Sequence, residues 1–281
     1  MTRRGGSLSW KLPSALPGFG VSLGLTLAYL SLIVLIPLSA LVLRPWENGL
    51  APVIAALSDD RAMAALRLSF VAAAAAAAIN GVMGVLLAWV LTRYPFPGRA
   101  LADAIIDLPF ALPTAVAGIA LTALYAANGP LSGILGAMDL KVAYTPLGIV
   151  IAMVFVGLPF VVRSVQPVLQ DLDREVEAAA QTLGANPLQI AWKIILPALL
   201  PGIISGVGLA FARGVGEYGS IIFIAGNMPM TSEIAPLLIV TQLEQFNYAG
   251  AASLGLAMLV LSFTILLSFN GLQLLLARRG L

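Results

Sequence analysis

Long apolar stretches separated by short polar segments dominate the chain. A membrane-spanning helix needs about 17–25 apolar residues to cross roughly 30 Å of hydrocarbon. Six stretches meet or approach that length, over residues 19–43, 66–91, 104–126, 145–162, 202–225 and 249–276. The pattern therefore predicts an all-α membrane protein with about six transmembrane helices.

Proline and alanine patterns modify two of these predicted spans. Pro109 and Pro113 lie near the start of the third stretch, so this helix is predicted to be kinked close to one membrane face. The second stretch contains seven consecutive alanines, residues 72–78, whose small side chains allow another helix to approach closely. The alternative interpretation is that these alanines only face lipid and have no role in helix packing.

The segment before the first stretch, residues 1–18, is basic and contains Arg3, Arg4 and Lys11. A secretory signal has an apolar core of about 7–15 residues, which is shorter than the first stretch. We therefore expect the first stretch to be retained as a span. The domain prediction is a cytoplasmic tail over residues 1–18, followed by a single transmembrane domain over residues 19–281.

The longest segment too polar for the hydrocarbon region runs from residue 163 to about residue 200. Alanine and glutamate favour a first short helix there, and Gly184 is a residue type that ends helices. Asn186 followed by Pro187 is typical of an N-cap and the first turn of a second helix. The pattern predicts two short helices joined by a sharp turn, which we call the hairpin.

The second helix of the hairpin is predicted to be amphipathic. Its apolar residues recur at i, i+3, i+4 and i+7, opposite Gln189 and Lys193. These apolar residues are Leu188, Ala191, Trp192 and Ile195. A helical hairpin of this kind between membrane spans favours docking on another protein. An amphipathic hairpin that lies on the membrane surface without a partner is the alternative.

Composition supports the membrane assignment and excludes several classes of site. Hydrophobic residues make up 60% of the chain and charged residues 10%, against about 25% charged in soluble proteins, and the mean hydropathy is +0.98. The chain contains no Cys and no His, so disulfides, thiolate metal sites and the commonest general base are excluded. None of its three lysines follows a glycine, so the phosphate loop of an ATP-binding subunit is absent.

The positions of Lys and Arg predict the orientation. If the N-terminus is cytoplasmic, ten of the 15 basic residues lie on the cytoplasmic side and Arg44, Arg61, Arg67 and Lys141 on the other. The ten are Arg3, Arg4, Lys11, Arg93, Arg99, Arg163, Arg174, Lys193, Arg278 and Arg279. The positive-inside rule therefore places both termini and the hairpin in the cytoplasm.

Polar residues within predicted spans are candidates for function, because a charge at the centre of a membrane helix costs about 2.5–3.5 kcal/mol on the insertion scale. Arg213 and Glu217 are four residues apart and are predicted to pair on one helix face. We take them as candidates for lining a translocation path, with a purely structural ion pair as the alternative. Asn80 is a third path candidate, although an interhelical hydrogen bond is the favoured interpretation for it.

Asp103 and Asp107 are also four residues apart, at the start of the third predicted span. Two carboxylates at this spacing are formally compatible with acid–base chemistry. The favoured interpretation is an electrostatic interaction with the positive N-terminal end of that helix.

In the hairpin, Gly184 is followed by nine residues, then by Ile194, one further residue, Leu196 and Pro197. This spacing resembles the cytoplasmic EAA loop of permease subunits of ABC importers. In that family the loop forms the coupling helix that fits a cleft on the ATPase subunit. This chain departs from the pattern at the Glu-Ala-Ala position, where it has Ala178, Ala179 and Ala180, and its nearest acid, Glu177, lies one residue early. The residues that the resemblance assigns to coupling are Glu177, Ala178, Ala179, Ala180, Gly184, Asn186, Pro187, Ile194, Leu196 and Pro197.

Several further strings resemble the T-type permease subunits of sulfate/thiosulfate ABC importers. They lie at residues 16–20, 88–98, 107–118, 216–229, 233–240 and 243–246, and the resemblance as a whole extends over nearly the whole chain. The resemblance implies a type I importer permease in a bacterial inner membrane that moves sulfate or thiosulfate inward. A molybdate or tungstate permease is the alternative cargo assignment, and a membrane scaffold without cargo is an alternative of another class.

The same resemblance implies the partners. They are a related W-type permease, two ATP-binding subunits, a periplasmic sulfate/thiosulfate-binding protein and the lipid bilayer, with no nucleic acid. ATP and magnesium would be bound by the ATP-binding subunits, and this chain would bind no cofactor. The chain would therefore be a transport subunit and not an enzyme.

Overall fold

The computed structural model describes residues 18–46 and 49–278, and this part of the chain is almost entirely helical. The predicted cytoplasmic tail, residues 1–18, lies almost wholly outside these residues. The helices are numbered here in chain order. They are α1 (Phe19–Trp46), α2 (Leu50–Ser58), α3 (Asp60–Arg93), α4 (Arg99–Ile106), α5 (Leu108–Ala111), α6 (Thr114–Tyr125), α7 (Ser132–Ala137), α8 (Pro146–Asp171), α9 (Arg174–Thr182), α10 (Pro187–Val215), α11 (Ile221–Ile224), α12 (Ala235–Glu244) and α13 (Tyr248–Arg278).

Within the described residues, five helices are long and apolar enough to cross a membrane: α1, α3, α8, α10 and α13. They correspond to five of the six predicted spans. The third predicted span, residues 104–126, is instead divided among α4, α5 and α6. The prediction of one kinked helix is wrong there because Leu112, the residue before Pro113, is extended and Pro113 itself has a ψ of 131°, so the helix is interrupted and not merely kinked.

The fifth span differs from its prediction at both ends. Helix α10 begins at Pro187 and runs without a break to Val215, so the second hairpin helix is the start of a span and not a separate short element. A π-helical turn at Ala191–Ile195 widens the helix just before Pro197. The helix stops at Val215, ten residues before the predicted end, and Gly216 follows as its C-cap.

The core of the molecule is a three-helix contact among α3, α8 and α10, and glycines and alanines make it possible. A Cβ added at Gly84 or Gly206 would lie within 2.8 Å of Val161, so neither position could hold a larger residue without a shift of the helices. The alanine run contributes Ala72, Ala73, Ala76 and Ala77 to this buried interface. Close helix approach is therefore confirmed for these four alanines, whereas Ala74, Ala75 and Ala78 are exposed.

The remaining helices pack around this core. Helix α13 contacts α10, with Phe269 against Phe211, and α12 packs on α3 through a second cluster of buried apolar residues around Leu66 and Leu254. Helix α11 lies against α6, where Gly118 closely approaches Ser220. By contrast, α1 has no buried residue in its apolar window, so its sides are open to lipid or a partner.

Gly118→Ala is expected to destabilise the protein. The added Cβ would lie 2.8 Å from the Ser220 Cα, and backbone on both sides leaves it little room to move, so a cost of about 1–3 kcal/mol is expected for overpacking. The measurement is the thermal unfolding temperature of the detergent-purified protein. Gly133→Ala is the matched control because none of the described residues lies within 4 Å of its added Cβ. Equal unfolding temperatures for the two variants would contradict the close contact.

Candidate functional site

The hairpin between α8 and α10 is built by three local signals. The Asp173 carboxylate caps α9 by accepting a hydrogen bond from the Glu175 N–H at 2.9 Å. Gly184 follows α9 in the left-handed conformation, with φ of +86°. Asn186 and Gln189 form a reciprocal capping box at the start of α10, with hydrogen bonds of 2.8 and 2.9 Å. The predicted turn and N-cap are thus confirmed.

The tip of the hairpin exposes large apolar side chains. Leu183 is 88% exposed, Leu188 67% and Trp192 64%. Ile190 and Ile195, by contrast, are buried. The predicted stripe is confirmed in part: Ala191, Trp192 and Ile195 line one apolar groove together, with Ile195 at its buried end, while Leu188 is exposed near the start of the helix. Ile194, Leu196 and Pro197 are half-buried where α10 enters the bundle.

The Glu177 side chain forms an ion pair with another residue of this chain. Its Oε1 lies 2.6 Å from Nη2 of Arg93, the last residue of α3, and the Arg93 side chain is only 9% exposed. The Arg93 guanidinium also lies over the Trp89 ring, 5.5 Å from its centroid. This contact ties α9 to the end of a span. Ala178 and Ala179 remain exposed, and Ala180 is buried.

Arg213 and Glu217 form the predicted pair, with 2.5 Å between Nη1 and Oε2. Arg213 lies in the last turn of α10, where the negative end of the helix dipole favours a cation. Glu217 lies beyond the helix and is 1% exposed, and its Oε1 accepts hydrogen bonds from the Ser220 N–H and Oγ, each 2.9 Å. The Arg213 side chain is 35% exposed. Glu217 is thus buried, whereas the Arg213 side chain is partly exposed.

Asn80, the third path candidate, lies inside the α3, α8 and α10 contact and is fully buried. Its Nδ2 donates a hydrogen bond of 3.1 Å to the Val154 carbonyl of α8, so the predicted interhelical bond is confirmed. The structure does not bring Asn80 together with the Arg213 and Glu217 pair on an open surface.

The densest polar cluster centres on Arg163, which the sequence did not single out. Its guanidinium forms a fork with Asp107, at 2.8 and 2.6 Å, and also contacts Asp103 at 2.7 Å and Gln166 at 2.5 Å. The pKa of the Asp103 carboxyl is lowered, first by the hydrogen bond from Gln166 and then by that from Arg163. The helix-dipole interpretation is therefore wrong for Asp103, which lies inside α4, whereas Asp107 is the N-cap residue of α5 and does lie at a helix N-terminus.

A second guanidinium–carboxylate fork links Arg61, at the start of α3, to Glu233. Both bonds are 2.7 Å, and Glu233 is buried. The next helix begins two residues later, and the Ala235 N–H donates to Ser69 Oγ at 2.8 Å. Sequence separations of more than 160 residues explain why no local pattern indicated either contact. The Arg61–Glu233 pair thus fixes the segment just before α12 against the start of α3. Glu244, the last residue of α12, is exposed.

Comparison with known proteins decides the family. Residues 80–280 match the family of binding-protein-dependent transport system inner membrane components. The chain belongs to this family. It is therefore a multi-pass inner-membrane protein.

Relatives in this family are similar over nearly the whole chain. The sulfate transport system permease protein CysT of Salmonella typhimurium strain LT2 is 48% identical over 264 residues, covering 94% of this chain and 95% of that protein. The protein of the same name from Escherichia coli strain K12 is 47% identical over the same coverage, and that of Synechococcus elongatus is 46% identical over 88% of this chain and 89% of that one.

The fold is that of solved importers. A bacterial ABC transporter involved in the import of the acidic polysaccharide alginate has a TM-score of 0.75 at 16% identity and covers 90% of this chain and 94% of that one. The MetNI methionine ABC transporter, in an inward-facing conformation, has a TM-score of 0.54 at 16% identity, covering 76% and 94%. These likenesses confirm the predicted type I permease fold.

Proposed function

We propose that this chain is the transmembrane permease subunit of an ABC importer that carries sulfate or thiosulfate into the cytoplasm. The observation that carries the proposal is the 48% identity, over 94% of the chain, to a sulfate transport permease. The composition adds support, since the chain has no phosphate loop and no Cys or His for chemistry of its own. We therefore expect a transport role without enzymatic activity.

The hairpin is the proposed contact with the ATP-binding subunits. Leu183, Leu188 and Trp192 are large apolar side chains that the described part of the chain leaves exposed. A cavity of about 230 Å³ beside them is lined by Leu183, Gly184, Ala185, Gln189, Lys193 and Ile194. Two ATP-binding subunits, which hold ATP and magnesium, would close on these surfaces. Because α10 continues from the hairpin into the bundle, movement of the hairpin would pass directly to the helix that carries Arg213.

The remaining partners follow from the same family. A related W-type permease would complete the translocation path beside α10, and a periplasmic sulfate/thiosulfate-binding protein would deliver the anion to the outer loops. The alginate importer has also been solved in complex with a pentasaccharide-bound periplasmic protein, with a TM-score of 0.73 to this chain. We expect the hairpin and both termini to be cytoplasmic, because this orientation is the one that the positive-inside rule favours.

Competition between anions tests the cargo. The complete importer, expressed in a strain that lacks its own sulfate uptake, is expected to take up labelled sulfate, and excess thiosulfate should compete. Excess molybdate or tungstate should compete weakly or not at all. Uptake of labelled molybdate with no uptake of sulfate would replace the proposed cargo while leaving the importer assignment in place.

A further inference from the structure

Arg213 has more hydrogen-bonding capacity than its own chain uses. A guanidinium carries five N–H donors, and in the described residues only Nη1 has a partner, the Glu217 carboxylate. Leu209, one turn earlier, is 50% exposed, and Gly216, three residues later, is exposed too. The free donors of Arg213 therefore lie on a side of α10 that this chain leaves open.

Glu217 does not depend on Arg213 for its own hydrogen bonds. The fully buried Ser220 donates to Glu217 Oε1 from both its backbone N–H and its hydroxyl group. If the guanidinium turned away, this carboxylate would keep both donors. The two members of the pair are thus unequal: Glu217 is fixed, and Arg213 is held at one nitrogen only.

The chemistry of the open side matches a tetrahedral oxyanion. Sulfate and thiosulfate offer only acceptors, and a planar guanidinium binds such groups with two parallel N–H donors. A lysine could supply the charge but not this fork. In the absence of an anion, a guanidinium without a partner in the membrane would be costly, and the Glu217 carboxylate removes that cost.

We propose that Arg213 is the side chain that contacts the oxyanion within the translocation path, and that Glu217 is a positioning residue that occupies the guanidinium when no anion is there. This inference rests on the proposed function. It separates the three path candidates, because the buried Asn80 then packs helices while Arg213 meets the cargo.

The test uses the complete importer and measures initial rates of labelled sulfate uptake over a range of concentrations. Membrane level and co-purification of the ATPase subunit are measured for each variant. The double variant Arg213→Met/Glu217→Leu leaves no orphaned charge and is expected to lower uptake at least tenfold at unchanged level and ATPase binding. Arg213→Lys is expected to raise KM about tenfold, because it keeps the charge and loses the fork.

Glu217→Gln separates positioning from support of the fold. Its amide oxygen keeps the Ser220 hydrogen bonds, while the guanidinium loses its resting partner and holds the anion longer. KM and maximal rate are therefore both expected to fall several-fold, a pattern that loss of folded protein does not produce. Arg67→Met is the matched control, since Arg67 is exposed and has no ion pair in the described residues.

Three results would overturn the proposal. The first is a sulfate uptake rate of the double variant within twofold of wild type. The second is an unchanged KM in Arg213→Lys at normal membrane level. The third is a loss of uptake in Arg67→Met equal to that in the Arg213 variants, which would assign the effect to general positive charge. If the double variant fails to accumulate, Arg213→Lys and Glu217→Gln decide the question. If the wild type carries another oxyanion instead of sulfate, the proposed cargo fails, and the same variants test Arg213 with that anion.

Discussion

Gly184→Val is expected to weaken binding of the ATPase subunit at least tenfold and to abolish most sulfate uptake, with little change in membrane level. Gly184 has φ of +86°, a conformation that a β-branched residue adopts only under strain. Strain of about 1–3 kcal/mol at this turn would change the angle between α9 and α10. A cost of about 1.4 kcal/mol already corresponds to a tenfold change in affinity.

Gly184→Asn is the matched control for this prediction. Asparagine tolerates the left-handed conformation at the end of a helix better than other residues with a side chain. Nothing within the described chain lies within 4 Å of an added Cβ at Gly184, so both variants fit and only one is strained. Co-purification of the ATPase with each variant is the measurement. If Val and Asn variants bound the ATPase equally well, the turn geometry would not be what coupling needs.

Arg163→Met is expected to lower the membrane level of the protein and its unfolding temperature by several degrees. Arg163 joins α8 to Asp103 on α4 and to Asp107 just beyond it, with four contacts of 2.6–3.0 Å to the two aspartates besides that to Gln166. Without it, two carboxylates four residues apart repel each other at the membrane edge. The three charged side chains are 31–45% exposed, which limits the effect through solvent screening.

Charge compensation checks the Arg163 prediction. Adding Asp103→Asn and Asp107→Asn to Arg163→Met removes the repulsion and should recover part of the lost unfolding temperature. Arg163→Lys should give an intermediate value, because it keeps the charge and loses the fork to Asp107. The lowered pKa of Asp103 means that it is ionised at neutral pH, and its contribution to stability is lost only as pH falls through that pKa. An unfolding temperature unchanged in Arg163→Met would contradict the role assigned to the cluster.

Much of the fold could be predicted because it is set by local composition. Apolar length located five spans, and Gly184, Asn186 and Pro187 located the turn of the hairpin. Local sequence signals did not predict whether a given proline would end a helix or be accommodated within one. Pro113 ended a helix, whereas Pro197 and Pro201 were accommodated in α10 after a π-helical turn. Sequence alone gives no means to distinguish these two outcomes, since the helix context decides whether the lost hydrogen bond is replaced.

The candidate site was predictable only where its members are close in sequence. Arg213 and Glu217 are four residues apart, and this spacing predicted the pair although α10 ends at Val215, two residues before Glu217. Ser220, which holds Glu217, was missed because no helical spacing relates two residues that both lie beyond the end of α10. Arg163 was missed for another reason: its aspartate partners are about 60 residues away, and only the three-dimensional packing of α4 and α8 brings them together.

ATP-dependent sulfate uptake by the purified and reconstituted importer tests the central claim most directly. This chain, its permease partner, the ATPase subunits and the binding protein are placed in proteoliposomes, and labelled sulfate is followed with and without ATP. We predict uptake that needs ATP and the binding protein and that is lost when Gly184→Val replaces the wild-type chain. An assembled complex that hydrolyses ATP but moves no sulfate would contradict the assigned cargo, and failure of the wild-type chain to bind any ATPase would contradict the importer function itself.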